Sequence, residues 1–410
     1  MYNPKDLREL LRSPLMLSLY IPSILFGMGR GMLLPVLPLY ARSFDADYSL
    51  VGIVLAGGAI GMVIGDLPSG SILRRFGTKR TMIIGIFTIM LASVGLFTAQ
   101  TIFWVFVYQI IGGLGGALYG IARHDYLARA IALGARGRAI GLLGGAFRLS
   151  RFLGPALGAI IAEAYGLRAT FLGVAIVFVI VMIIVAYWME IDKPKQKTDK
   201  EVTSHTALLW QTLRDHYKIL GIAGTAQILI QMTREGSKTV IPLYGADVLG
   251  LDVGPIGYIL SIGSAFDALF FYLSGWLMDH HGRKFAIVPS FVLQGIGLAM
   301  IPFTLNFAGL ALASSVIGFG NAISAGTMMT LGSDLAPPES RSEFLGMWRF
   351  MGDSGGAGAP VVVGQVADFM ALSASAIVLA LISFSAAGLV LFFVPETLQK
   401  DPFFEPDESP

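Results

Sequence analysis

The sequence predicts an all-α polytopic membrane protein of twelve transmembrane helices arranged as two pseudo-symmetric six-helix bundles. Three observations carry this. The 410 residues are 55% hydrophobic and only 14% charged, with a mean hydropathy of +0.71. A soluble domain carries about a quarter of its residues as charges. Apolar runs close to the ~20 residues that cross a bilayer recur along nearly the whole chain. Finally, the second half repeats the first at an offset of 204 to 205 positions.

The apolar segments fall at roughly 15–41, 49–73, 81–99, 101–128, 139–163 and 167–189, then at 218–246, 255–278, 285–304, 306–333, 344–369 and 371–394. They divide the chain into an N-terminal bundle (1–189), a linker (190–217), a C-terminal bundle (218–397) and a tail (398–410). Fifty glycines suit helices that pack closely where lipid gives no hydrophobic drive for association. The first run is too long for a cleaved signal and lacks the cleavage pattern, so it is expected to stay as a helix. In the linker, 192–201 is a mixed charge run, and Ala207, Leu208, Trp210, Leu213 and Tyr217 suggest a short amphipathic helix on the membrane surface.

Lysine and arginine set the orientation. With the N-terminus inside, the inner connections hold Arg74, Arg75, Lys79, Arg80, Arg136, Arg138, Arg283, Lys284 and Arg341, while the outer ones hold only Arg42 and Arg168. Both termini and the linker are expected in the cytoplasm, and the chain in the plasma (inner) membrane. There is no cysteine, hence no disulfide or thiolate metal site. No metal cluster, phosphate loop or nucleophile–base arrangement emerges either, so an enzyme, a cofactor and a nucleic-acid partner are not expected.

The repeat is clearest at two hinges. Gly275-Trp276-Leu277-Met278-Asp279-His280-His281-Gly282-Arg283-Lys284 answers Gly70-Ser71-Ile72-Leu73-Arg74-Arg75-Phe76-Gly77-Thr78-Lys79. Met28, Arg30, Pro38 and Tyr40 match Met232, Arg234, Pro242 and Tyr244, and Arg136, Gly141 and Pro155 match Arg341, Gly346 and Pro360. These residues resemble the major facilitator superfamily. The second hinge fits its loop signature G-x-x-x-D-x-x-G-R-K, the first is a degraded copy, and Val394-Pro395-Glu396-Thr397 resembles its closing motif. The resemblance spans about 15–397. It implies the major facilitator fold, alternating access, and an interior lined by helices 1, 4, 7 and 10. Gly154-Pro155-Ala156-Leu157-Gly158 resembles the helix-5 signature of the drug/proton antiporter group, with Ala159 in place of the final glycine. In that reading Gly154 and Pro155 let helix 5 pack against the opposite half. Tyr108 stands where many proton antiporters carry an arginine, which weakens the inference of proton coupling.

Ionisable side chains at bilayer depth are costly unless paired or wet, so each is a functional candidate. Arg30 and Arg234 sit at equivalent depths of helices 1 and 7 and are candidates to clamp an anionic group, or else to neutralise internal acids. Tyr40, Tyr244 and Met232 are further candidates for substrate contact. Asp267 has no basic residue within a turn and is the leading proton-carrier candidate, with Asp353, Asp66 and Glu235 behind it. Arg349 and Asp353 are four apart and share a helix face, and Arg148 is the repeat mate of Asp353. For gating, the hinges suggest two crossed ion pairs, Arg74 with Glu343 and Asp279 with Arg138, closed when the cytoplasmic side is shut. Arg283, Gly275 and Gly282 complete the hinge set. The expectation is a monomeric secondary transporter, exporting a small organic solute in exchange for protons. The rivals are an organic-anion or phosphate-ester carrier and an uncoupled facilitator.

Overall fold

The computed structural model describes residues 15–130, 136–189, 205–338 and 340–398, with side chains for all of these except 136–142, 205–213 and 342. Twelve membrane helices run through it. In the first half they are α1 (Met16–Arg42), α2 and α3 (one stretch, Tyr48–Thr98, divided at Gly77), α4 (Ile102–Ala130), α5 (Arg136–Tyr165) and α6 (Leu167–Trp188). In the second half, α7 lies within His205–Asp247, and α8 is Val253–Phe270 continued by Tyr272–His280. Then follow α9 (Arg283–Met300), α10 (Phe307–Ile323 continued by Thr327–Leu335), α11 (Arg341–Phe369) and α12 (Leu372–Phe393). The expected amphipathic linker helix is continuous with α7 and bends away from it at His216 (φ −119°, ψ 18°).

Eight helical stretches are long and apolar enough to cross a membrane on composition alone, and α5, α7 and α11 are not among them. Those three carry Arg148 and Arg151, then Arg234, Glu235 and Lys238, then Arg349 and Asp353. Their charge is tolerable only because it faces the interior rather than lipid.

The packed cores show how the halves meet. One buried cluster contains Val36, Leu37 and Tyr40 of α1, Val51 and Val54 of α2, Val240, Ile241 and Tyr244 of α7, Ile259 of α8 and Val363 of α11. It lies at the end opposite the hinges and belongs to both halves. At the hinge end the cores are separate. Phe291, Met328, Phe344 and Trp348 gather in the second half, and Phe26, Met82, Tyr119 and Phe178 in the first. The two bundles are joined at one end.

At the joined end α2 packs on α11 and α5 on α8. A Cβ on Gly52 would overlap the Pro360 carbonyl, and one on Gly257 would lie 2.8 Å from the Pro155 carbonyl oxygen. Gly52 and Gly257 are repeat mates, as are Pro155 and Pro360, so the two crossings are the same contact made twice. Proline inside a helix removes one ladder bond and disturbs the turn before it. Beside Pro155, the Ala156 amide donates to Ser261 Oγ of α8 at 3.0 Å. Gly154 and Gly158, by contrast, face α1. A Cβ on Gly154 would sit 2.7 Å from Gly31 Cα, and one on Gly158 2.7 Å from Met32 Cα. Those glycines tighten helix 5 onto its own half, whereas the cross-half contact is made by Pro155 and by Ala159 against Gly257.

The hinges turn at Gly77 (φ 78°) and Gly282 (φ 104°), a region that L-residues with a Cβ avoid. Each following lysine caps the last helix of its own half. Lys79 Nζ donates to the Met189 carbonyl at 2.6 Å, and Lys284 Nζ to the Leu391 carbonyl at 3.0 Å. In the second half the Glu396 carboxylate accepts the amides of Arg283 (2.9 Å) and Lys284 (3.0 Å), capping α9 from the far end of the chain. Arg283 Nε bonds Asp334 Oδ2 at 2.9 Å, which also accepts from Thr397 Oγ1 at 2.8 Å. Burial alone would push the Glu396 carboxyl upward, but the amides of Arg283, Leu398, Lys284 and Thr397 together hold it below the ordinary glutamate range.

Two measurements check this hinge. Gly282→Ala should destabilise by about 1–2 kcal/mol, because the backbone is left-handed and the new Cβ lies 2.5 Å from Glu396 Oε2. Gly275→Ala, in a helix with nothing within 4 Å, should be neutral or stabilising by about 0.5–1 kcal/mol. Equal melting shifts for the two would refute the assignment. Because the folded Glu396 titrates lower than the unfolded one, its stabilisation is full above the unfolded value, about 4.3, and is lost as pH falls through the folded value. Glu396→Gln should remove that acid-side loss.

Candidate functional site

The charged interior separates into three groups. The first is on α7. Glu235 is paired with Lys238 one turn on, and a Cβ on Gly356 of α11 would touch Glu235 Cγ at 3.3 Å. Arg30 of α1 and Arg151 of α5 both lie within electrostatic reach of this carboxylate. Arg30 is exposed to the interior, and its one hydrogen-bonding contact among the described residues is the Met62 sulfur at 3.9 Å. Arg151 is exposed as well.

The second group surrounds Asp267. This residue is only 5% exposed, and its Oδ1 has no hydrogen-bond partner. It sits on α8 one turn before Phe271, where the backbone stays helical (φ −59°, ψ −26°). Although its own helix offers no base, tertiary packing brings Arg234 of α7 and Arg148 of α5 into its electrostatic field. Arg148 comes from the other half and lies 4.5 Å over the Phe271 ring. Its Nη1 donates to the Gly144 carbonyl at 3.2 Å. The repeat-mate bridge between Arg148 and Asp353 is not formed in this conformation.

Arg234 is held rather than presented. Its Nη2 donates to Ser324 Oγ at 2.8 Å and to the Ser324 carbonyl at 3.3 Å, and its guanidinium lies 5.4 Å from the Phe291 ring centre. Ser324 is where α10 breaks, before Gly326 (φ 83°). Ser290 Oγ and Gln294 extend the buried chain behind it. The broken helix α10, which interrupts at Ser324 and Gly326, therefore lies beside Arg234, and interrupted helices of this kind are associated with transporter binding sites.

The third group spans the halves nearer the hinge end. Arg349 of α11 pairs with Asp353 at 3.4 Å and with Asp66 of α2 at 3.6 Å. The sequence placed Arg349 with Asp353; nothing in it linked either to Asp66.

Other candidates lie elsewhere. Tyr40 is fully buried in the joined core, its hydroxyl donating to the Leu96 (2.9 Å) and Ala99 (3.2 Å) carbonyls that end α3. Tyr244 is buried in the same core and Met232 is half-buried on α7. Tyr108 lies against Gly95 of α3. Arg74 donates to Ser71 Oγ on its own helix at 2.9 Å, and Asp279 is exposed. Glu343 lies in the first turn of α11. The side chain of Arg138 falls outside the described residues. Asp125 accepts from Thr78 Oγ1 and pairs with Arg129 at 2.7 Å, holding the first hinge.

A feature missed from the sequence is the latch at the joined end. Arg42 Nε pairs with Asp247 at 3.0 Å, Tyr48 OH donates to the same carboxylate at 2.8 Å, and Arg42 lies 4.4 Å over the Tyr48 ring. Asp368 of α11 accepts the amides of Tyr48 (2.9 Å) and Ser49 (2.7 Å), capping α2 across the halves. The repeat offset relates Asp368 to Glu163, which lies against Gly254 at the start of α8. That offset was the available signal.

Two repeated bundles, latched at one end around a charged interior, define a membrane carrier. The Major Facilitator Superfamily description matches residues 19–360 and 223–409, and the chain belongs to that superfamily. Among curated proteins it is 24% identical to the tetracycline resistance protein, class B, of Escherichia coli, over 68% of this chain and 71% of that one. It is 25% identical to the cis,cis-muconate transport protein of Acinetobacter baylyi, over 85% of each. The solved D-xylose-proton symporter shares its fold with a TM-score of 0.72 at 17% identity, covering 93% of this chain and 97% of the other.

The latch predicts a measurable shift. The chain has no native cysteine, so a single cysteine at the buried Val240 reports opening without background. Asp247→Ala and Asp368→Ala should each raise its rate of maleimide labelling by about twofold to tenfold, the scale of one surface pair or one helix cap. Unchanged rates would mean the latch does not hold this end shut.

Proposed function

We propose that this protein is a monomeric plasma-membrane transporter that exports a small organic solute in exchange for protons, its termini and hinge loops in the cytoplasm. The observation that carries the reading is Asp267, a buried carboxylate with an unpartnered oxygen. Asp267 is the carboxylate proposed to exchange the proton, and Arg234 and Arg148 are the cations that act on it. Arg148 belongs to the half that moves relative to α8, so rocking of the bundles changes the field at Asp267. The Arg349 pairs with Asp66 and Asp353 give a second site where the halves exchange partners. Resemblance to the tetracycline resistance protein supports export, and resemblance to the muconate transport protein supports an organic cargo.

In the present conformation the end with Arg42, Asp247 and Asp368 is shut, which the positive-inside charge pattern makes the outer end. The inward-facing state follows from that orientation. In the opposite state the crossed pairs Arg74–Glu343 and Asp279–Arg138 are proposed to close the inner end.

Reconstitution into liposomes with a trapped pH dye tests the coupling. Tetraphenylphosphonium, glucose and adipate are offered in turn down a concentration gradient. Entry of a cargo by antiport drives protons out and makes the lumen alkaline. Asp267→Asn should abolish that pH change while keeping solute exchange. Flux without any pH change would make the protein a facilitator, and luminal acidification would make it a symporter.

A further inference from the structure

We infer that the carrier's cargo is a small organic dianion, held by Arg30 and Arg151 of the first half, with Arg234 excluded from the grip. The inference rests on the carrier reading and is independent of proton coupling. It starts from the inventory of charge around α7. Among the described residues, Arg30, Arg148, Arg151, Arg234 and Lys238 act on two carboxylates there, Glu235 and Asp267, while the neighbouring Asp353 and Asp66 are paired with Arg349. Lys238 is already bonded to Glu235. Arg234 is bonded to Ser324, and Arg148 lies on Phe271 and bonds the Gly144 carbonyl. Of these five, Arg30 and Arg151 are the two with neither an ion pair nor a stacked ring among the described residues.

They also stand together. α1 and α5 cross at Gly31 and Gly154, where a Cβ on Gly31 would be 3.0 Å from Gly154 Cα. Gly27 meets Ser150 one turn earlier, with a Cβ 2.8 Å from Ser150 Cβ. The helices run side by side in the same sense, so Arg30, next to Gly31, and Arg151, one turn before Gly154, lie at nearly the same depth. Both project their field onto the same α7 carboxylate. Gly116 of α4 leaves the Arg30 guanidinium its room, since a Cβ there would lie 3.1 Å from Nη1.

Two guanidiniums at bilayer depth are tolerable while water reaches them and costly once the bundles close over them. A cargo with two anionic groups supplies the missing partners at that moment, through charge-assisted and bidentate bonds suited to carboxylate or phosphate. A cation or a neutral solute leaves both arginines unpaired in the closed state.

The test is binding to the purified full-length protein, by calorimetry and thermal shift, across a series that changes charge on one skeleton. The probes are adipate, monomethyl adipate, dimethyl adipate, glycerol phosphate and tetraphenylphosphonium. Adipate or glycerol phosphate should bind, the better one naming carboxylate or phosphate, and each ester should weaken binding. Arg30→Gln and Arg151→Gln should each weaken it by about tenfold to a hundredfold. Arg30→Lys and Arg151→Lys keep the charge and should fall between, which preserves the test if a Gln variant does not fold. Arg123→Gln, which alters an arginine stacked 4.5 Å over Phe147, should change nothing. The proposal is overturned if dimethyl adipate binds as well as both dianions, or if the Gln variants bind like the parent. It also falls if only tetraphenylphosphonium binds. A tetraphenylphosphonium-driven pH change without dianion binding would leave the exporter standing and remove this site. Dianion binding without any pH change would do the reverse.

Discussion

The approach of Pro155 to Gly257, and its repetition as Pro360 on Gly52, is the contact on which the rest of this structure depends. It brings helix backbones together at one end of the molecule, with the small Ala159 side chain at the crossing. One shared apolar core forms around it, and the Arg42–Asp247–Tyr48 and Asp368 contacts complete the seal. Because the halves share a core there while the other end keeps two separate cores, water can reach the charges between them. Arg30, Arg151 and the Glu235–Lys238 pair survive at that depth because the bundles are parted.

Each half is stiffened by its own staples. Lys79 and Lys284 fasten their hinges to the last helix of the same half, and Glu396 and Asp334 bind the second hinge to the chain's far end. These bonds make the hinge a rigid corner of one bundle. Arg283, which the motif suggests as a gating residue, is held inside the second half by Asp334 and the Met278 carbonyl. What joins the two bundles instead is Asp66–Arg349, Arg148–Phe271 and the latch residues.

Much of the fold was legible from the chain. Apolar runs located the spans, the repeat gave the two halves, and the two hinge glycines that it paired both take a positive φ. The charged residues of α5, α7 and α11 were legible as interior because lipid would not tolerate them. What periodicity does not contain is which helix faces which. Arg349 and Asp66 are 283 positions apart, and no local pattern links them. Arg234 looks like a clamp residue until the break at Ser324 is seen to absorb it. Tyr40 resembles a ligand contact, yet its hydroxyl ends a neighbouring helix. Gly154 resembles a cross-half contact, yet it faces α1, while the true crossing glycines, Gly52 and Gly257, carry no motif and are visible only through the repeat offset.

The two glycine–proline crossings have a consequence for how the molecule moves. They are related by the same pseudo-twofold axis that relates the bundles, so a single rotation about an axis between the halves separates both together. Opening one crossing while the other stays shut would require a twist within a bundle that its hinge staples resist. The seal at the joined end therefore behaves as one cooperative unit, and damage to either crossing is felt at its distant twin.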